Sequence, residues 1–409
     1  MNYKQLQIDN FFNYLAIPSQ SNAKVQNLPS SKGQYDLALL LKKELENLGL
    51  SDILLQDNAI LTARLKGNSK KKSVGFCAHL DTVDVGLSDI IKPQILKFEG
   101  KPLCLNKEKN IICDPKDYPE LLKYMDEEII FSDGTSVLGA DNKAAISTIM
   151  TLLHYLVYEK CEHGDVYVSF VPDEEIGLRG SKMLDLKYFK PDFAFTIDCC
   201  ELGELVFETF NAGSAFIEIQ GVSAHPMSAK GVLLNPTLIG IDIANCFDRL
   251  QTPENTENDE GYIWVQEFHS DQIKASLYLN IRDHNKQKYE EKKQYIKEVV
   301  NFMQKRYKRS IITLKIEDVY SNLKDSMNEY NKIGLEILHQ AFNECNIKPK
   351  TFPMRGGTDG SALALKGLFM PNFFTGAHNF HSAFEFLPLK SFYQSFEVAK
   401  NIIKIASTK

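Results

Sequence analysis

Through its first two hundred residues the chain alternates between two spacings of apolar side chains. From Tyr35 to Leu48, Leu37, Leu41, Leu45 and Leu48 recur every three or four positions, with Leu39 and Leu40 beside them, which predicts a helix. Ser73 to Ala78 is a short, largely apolar run and reads as a buried strand. Asn142 to Tyr158 returns to helical spacing through Ala144, Ala145, Ile149, Leu152, Leu153 and Leu156. Val166–Val171 and Phe193–Ile197 follow as two more strands. Ile129–Phe131 and Val137–Gly139 flank Ser132-Asp133-Gly134-Thr135, whose Asp-Gly step predicts a hairpin. Strand–helix–strand alternation predicts an α/β fold with a mainly parallel sheet covered on both faces.

Beyond about residue 210 the period changes. Ala215–Gln220, Ala275–Ile281 and Ile311–Val319 alternate with period two, as half-solvated strands do. Asn235–Leu250 and Asn285–Tyr307 read as helices, and the acidic stretch Gln251–Gly261 as a loop. This α+β pattern with an antiparallel sheet predicts a separate inserted domain. From Asn328 the α/β pattern resumes with a helix to about Cys345, the loop Arg355-Gly356-Gly357-Thr358-Asp359-Gly360 and a last helix over Leu389–Ile405. The expected organisation is therefore a core domain in two parts, 1–209 and 322–409, interrupted by an α+β domain over 210–321. A length of 409 residues agrees with more than one core.

Composition narrows the partners. Apolar residues make up 44% and charged residues 24%, as in ordinary soluble proteins. A net charge of −6 argues against a nucleic-acid partner. No run of about 18 apolar residues occurs, so a membrane-spanning helix is not expected. The first ten residues are amphipathic and lack the apolar core of a signal peptide. The eight cysteines are scattered without a C-x-x-C pair, which predicts reduced thiols and a cytoplasmic setting.

Ligands of open α/β sheets bind beyond the carboxyl ends of the strands, so polar residues placed there are candidates for chemistry. His79 follows the Ser73–Ala78 run, Glu174-Glu175 follow Val166–Val171, and Asp198 follows Phe193–Ile197. Asp141 stands before the Asn142–Tyr158 helix and His381 near the C-terminus. Zinc takes histidine nitrogen and carboxylate oxygen, and paired hydrolytic metals sit about 3.5–4 Å apart with a shared ligand. His79, Asp141, Glu175, Asp198 and His381 supply enough donors for two metals if one carboxylate bridges. Glu174 is then left beside a ligand as a base, and Asp81 can accept from the other ring nitrogen of His79. Taken singly, Asp141 is also a helix-capping residue and Glu174-Glu175 a plausible solvated helix start. Their joint placement carries the reading.

The runs Gly75-Phe76-Cys77-Ala78-His79-Leu80-Asp81-Thr82, Leu138-Gly139-Ala140-Asp141-Asn142-Lys143 and Pro172-Asp173-Glu174-Glu175-Ile176-Gly177 resemble the M20 family of co-catalytic zinc peptidases. Ser223-Ala224-His225-Pro226-Met227, Arg355–Gly360 and Asn379-Phe380-His381 point to its tripeptide-aminopeptidase branch. The resemblance implies a cytoplasmic enzyme with two zinc ions, a short-peptide substrate and a homodimer whose inserted domain serves as lid and dimerisation surface. It implies that His79 and Asp198 hold one zinc, Glu175 and His381 the other, and that Asp141 bridges them across a cis Asp141–Asn142 peptide bond. Asp81 would orient His79, Glu174 would act as general base, and His225 would polarise the scissile carbonyl. Arg282, Asn322 and Arg355 would hold the substrate's carboxylate and backbone, although an arginine on an alternating strand is also an ordinary edge residue. Three positions depart from the pattern: Cys199-Cys200 where glycines are usual, Asn142 where a second aspartate is common, and His378 where an aromatic hydroxyl is common. Other hydrolases of the family, dipeptidases or N-acyl-amino-acid deacylases, are the near alternative, and a non-catalytic metal-binding relict the far one.

Overall fold

A computed structural model describes all 409 residues. The chain divides into two compact units. The first comprises Met1–Phe207, Met327–Thr351 and Thr358–Lys409, and the second Glu208–Ser326 and Phe352–Gly357. The second unit thus takes in more than the 210–321 segment expected. Within it, the Met354 N–H donates to the Glu208 carbonyl at 2.9 Å. The Arg355 guanidinium lies 5.1 Å from the Phe210 ring and 5.7 Å from that of Tyr262, which ties 352–357 to this unit.

The first unit is built on an eight-stranded sheet. Its strands are β1 (Ser51–Leu55), β2 (Leu61–Leu65), β3 (Val74–His79), β4 (Val166–Val171), β5 (Phe193–Cys199), β6 (Glu204–Val206), β7 (Lys350–Thr351) and β8 (Asn372–Phe374). Their order is β1-β2-β4-β3-β5-β8-β6-β7. The four central strands β4, β3, β5 and β8 run parallel; β1, β2 and β6 pair antiparallel around them. All residues of β3 and β4 are buried, which is why they read as unbroken apolar runs rather than alternating ones. Register positions the chemistry. His79 pairs with Val171 and Cys77 with Thr196, so His79, Pro172–Glu175 and Asp198 leave the sheet at one level and on one edge.

Helices α1 (Tyr3–Leu15), α2 (Lys32–Asn47) and α3 (Ala140–Glu159) belong to the same unit. The α3 helix is buried on nearly every face over its first half. It is pinned to α1 by Gln7, whose amide donates to Thr148 Oγ1 at 2.9 Å and whose carbonyl accepts from Ser147 Oγ at 2.5 Å. Asp141 and Asn142 have non-helical dihedrals, and the peptide bond between them is cis, as the resemblance implied.

The hairpin expected at Ser132–Thr135 does not form. Glu128–Phe131 pairs instead with Gln94–Lys97 and Phe386–Pro388. Side chains hold the loop in its own shape: Ser132 Oγ donates to the Ser136 carbonyl at 2.8 Å, and Asp133 Oδ1 accepts from the Thr135 N–H at 3.0 Å. Asp-Gly here makes a side-chain-bonded loop rather than a strand turn.

The second unit is a four-stranded antiparallel sheet in the order Tyr262–Ser270, Lys274–Asp283, Asn211–Gln220, Ile311–Tyr320. Helices Pro236–Ala244 and Lys286–Arg306 bury Ile239, Ile243, Ile296 and Val300 against Ile217, Ile219, Leu277 and Leu279. Three alternating strands were expected and four are present. Tyr262–Ser270 lies at a sheet edge, and its last five residues are exposed, so it carries no clean apolar face to read. The first of the two helices ends at Ala244 rather than Leu250; beyond it Asp248 turns its carboxylate onto the Leu250 N–H, a turn-forming bond.

Candidate metal centre

At the carboxyl edge of the central strands, Asp141 stands between two imidazoles. Its Oδ1 lies 2.8 Å from His79 Nε2 and its Oδ2 lies 3.1 Å from His381 Nε2. His381 Nε2 is also 3.1 Å from Glu175 Oε1, and His79 Nε2 is 3.8 Å from Asp198 Oδ1. Each histidine thus faces one shared carboxylate and one of its own. Ligand atoms of His79, Asp141 and Glu175 fall within 4.8 Å of one another. The donor set is nitrogen and carboxylate oxygen, which suits zinc, and the division of Asp141 between the two imidazoles suits a bridge between paired metals.

The electrostatics ask for cations. Burial opposes charging His79, but its bonds to Asp141 and Asp81 outweigh this and hold its pKa well above the usual range. Bonds to Asp141 and Glu175 raise His381 to about 10 against its burial. Burial also opposes ionising Asp141, yet the two imidazoles keep its carboxyl well below the usual range. The remaining acids shift the other way. Burial and the Asp141 charge raise Glu175 to about 7. Burial, with neighbouring carboxylates, pushes Asp198 and Glu174 well up. Two histidines cannot neutralise this many carboxylates.

Around the ligands, backbone donors fix geometry. The His79 Nδ1–H donates to the carbonyl of Asp81 at 3.0 Å, leaving Nε2 as the ligating atom. The Asp81 carboxylate, expected to orient that ring, stands at 3.4 Å from Nδ1. It also accepts from the N–H groups of Glu174 at 3.0 Å and Glu175 at 3.2 Å, so it ties the end of β3 to the turn after β4. Two buried acids had not been singled out from the sequence. Glu385 accepts from the N–H of Gly139 at 2.8 Å and of Asp141 at 3.2 Å, and burial with the Asp141 charge raises it to about 8. Asp359 begins the helix Asp359–Ala364, and burial raises it to about 6. Glu385 lies between Phe384 and Phe386, which reads as core; its one signal is closeness to His381.

The departures from the family pattern resolve locally. Asn142 donates to the Ile197 carbonyl at 2.9 Å and to Asp198 Oδ1 at 2.6 Å, so its amide serves a candidate ligand. Burial, with Glu204 next, pushes the Cys199 and Cys200 thiols well up, which keeps them protonated. His378 is buried and takes the Tyr124 hydroxyl at 2.6 Å, and burial lowers it to about 4. It is no partner to His381.

His225, Arg282, Asn322 and Arg355 all belong to the second unit. His225 is exposed, and its Nδ1 accepts from the Met227 N–H at 3.2 Å. With Nδ1 accepting, the neutral ring carries its proton on Nε2. Arg282 donates to the Gly213 carbonyl at 3.0 Å and faces the Tyr320 ring at 5.7 Å. Arg355 donates to the Glu260 carbonyl at 2.8 Å and Thr256 Oγ1 at 2.6 Å. Asn322 is almost fully buried; its amide serves the Thr209 and Lys324 N–H groups and the His284 carbonyl. That bonding makes it a brace within its own unit.

Residues 139–405 match the family described as Peptidase family M20/M25/M40. A Peptidase T-like protein of Yersinia pestis is 53% identical over 393 residues, covering 96% of this chain and 95% of that one. A Peptidase T-like protein of Rhizobium meliloti is 48% identical over the full length of both. Peptidase T of Caldanaerobacter subterraneus subsp. tengcongensis is 40% identical, covering 98% and 99%. Among solved structures, an aminopeptidase PepT from Bacillus cereus superposes with a TM-score of 0.77 at 19% identity, and a tripeptidase from Staphylococcus aureus with 0.76 at 20%; each covers 99% of both chains. With its cluster of histidine and carboxylate donors, its sheet topology and these full-length likenesses, the chain belongs to peptidase family M20.

Proposed function

We propose that the protein is a two-zinc aminopeptidase that releases the N-terminal residue from tripeptides. The observation that carries this reading is the placement of Asp141, one oxygen toward each histidine, with Glu174 adjacent to a ligand but outside the donor count. His79 and Asp198 would hold one zinc, Glu175 and His381 the other, with Asp141 between them. Metals bound there would polarise the scissile carbonyl and acidify a water. Glu174, in its ionised form, takes a proton from the attacking water and passes it to the leaving amine. His225 donates Nε2–H to the developing oxyanion, from the partner subunit of a homodimer. The exposed Met227, Val232, Leu233, Leu238 and Ile241 near it in sequence supply apolar area for such an interface. Arg282 and Arg355 hold the substrate's carboxylate end, which sets peptide length; Arg355 would have to exchange its carbonyl partners for that carboxylate. The eight free cysteines support a reducing cytoplasm, and no helix is long and apolar enough to cross a membrane.

The relatives named Peptidase T support the tripeptide reading. A panel of di-, tri- and tetrapeptides and N-acyl amino acids, read by mass spectrometry on zinc-loaded protein, tests it. Release of one N-terminal residue, fastest from tripeptides and absent from N-acetylated ones, is the expected result. Faster cleavage of dipeptides or N-acyl amino acids would assign a neighbouring M20 activity.

A further inference from the structure

The Glu174–Glu175 turn is held from a second side by residues that touch no candidate ligand atom. Asp173 is fully buried and has a left-handed backbone, φ 54°. Its Oδ2 accepts from the Ser30 N–H at 2.8 Å; its Oδ1 accepts from the Ser30 hydroxyl at 2.5 Å and the Gln34 amide at 2.7 Å. Gln34 Oε1 in turn accepts from the Asp173 N–H at 2.9 Å. Both the carboxylate and the backbone of Asp173 are therefore bound to the start of α2 and the residues before it. Ser30 and Gln34 are themselves buried. Three donors on one buried carboxylate make strong, directional bonds, and a left-handed non-glycine residue persists only where its surroundings over-determine it.

The same N-terminal loop reaches the other ligand-bearing strand end. Ser19 Oγ donates to the Leu80 carbonyl at 2.7 Å. The Ser21 N–H donates to the Thr82 carbonyl at 3.0 Å, and the Thr82 N–H to the Ser19 carbonyl at 3.3 Å. Between these anchors, Asp81 takes the N–H groups of Glu174 and Glu175. The turn is thus clamped on one side by Asp81 and on the other by Asp173.

We infer that Asp173, Ser30 and Gln34 form a positioning set for the Glu174 carboxylate, so that the loop between α1 and α2 sets where the base stands. The inference rests on the reading of Glu174 as general base. Its physical content is that a turn free to rotate would displace Glu174 while leaving zinc donors in place. A displacement of 1 Å at a reacting group costs about 10²-fold in rate.

The test uses full-length, zinc-loaded protein carrying Ser30→Ala or Gln34→Leu, assayed with a tripeptide alongside metal content and thermal unfolding. Expected is a loss in kcat of about 10–100-fold, with KM nearly unchanged and metal content equal to wild type. Adding Gln34→Leu to Glu174→Ala should cost little further, because residues that act through one group are not additive. Wild-type kcat in both folded, metal-loaded variants would overturn the inference, as would a loss that follows metal loss or recurs in full on the Glu174→Ala background. Should Gln34→Leu fail to fold, Ser30→Ala decides alone. A zinc-loaded wild-type protein that leaves tripeptides, dipeptides and N-acyl amino acids all intact would bring down the base reading and this inference with it. Active wild type with unaffected variants would bring down only the inference.

Discussion

Glu174 and Glu175 are neighbours in the chain, and the proposal gives them different tasks. Glu175 Oε1 meets His381 at 3.1 Å, while Glu174 has no place in the donor count. Glu174→Ala should therefore keep both metals and lose about 10²–10⁴ in turnover, whereas Glu175→Ala should lose metal; metal analysis and turnover on one sample check both. Normal turnover by remetallated Glu174→Ala would show the roles exchanged. His225→Ala should keep its zinc and lose about 10²–10³ in turnover. If His225 acts in trans, mixing this variant with Glu174→Ala under subunit exchange should restore activity, because one site per mixed dimer carries neither defect; no recovery despite exchange would rule the trans arrangement out. His378 offers a pH test. Its folded-state pKa is lowered to about 4 from 6.5, so the unfolded chain takes up this proton first as pH falls. Its stabilising contribution is present above pH 6.5 and is lost towards pH 4, by about 3 kcal/mol at most. Unfolding of the double variant Tyr124→Phe, His378→Phe, followed across that window, should show a flatter acid slope than wild type. An unchanged slope would contradict the assignment.

At the scale of elements, the strands that carry the candidate ligands were legible because burial on both faces leaves an unbroken apolar run, as in Val166–Val171. The candidate ligands stood out because these runs end in residue types with no place in a core. What stayed hidden has physical reasons. Glu128–Phe131 finds its partner at Phe386–Pro388, a pairing across more of the chain than local spacing can encode. Tyr262–Ser270 is an exposed edge strand. The burial of Asn322 stayed hidden because a sequence does not say where an amide spends its hydrogen bonds. Glu385 was masked by its aromatic neighbours, yet it braces the start of α3 at Gly139 and Asp141. Glu385→Ala should free that turn and weaken zinc binding by about 10–100-fold, the usual effect of losing an outer partner. Competition with a chromophoric chelator measures it, and unchanged affinity would show that the turn holds without Glu385.

For the whole molecule, the proposal divides the work between the two units. The candidate metal donors, Glu174 and their braces lie in the first unit, while His225, Arg282 and Arg355 lie in the second. The alternation of periods showed both units, and the detail it missed was the return of Phe352–Gly357 to the second. The many buried carboxylates of the first unit also predict that cations stabilise the fold, since any ligand bound only by the native state does so. Zinc titration into chelator-stripped protein, with release of the N-terminal residue from a tripeptide followed at each addition, tests the central claim most directly. The account predicts an inactive stripped protein whose activity rises to a plateau at two equivalents per chain. Full activity without metal, or a plateau at one equivalent, would contradict it.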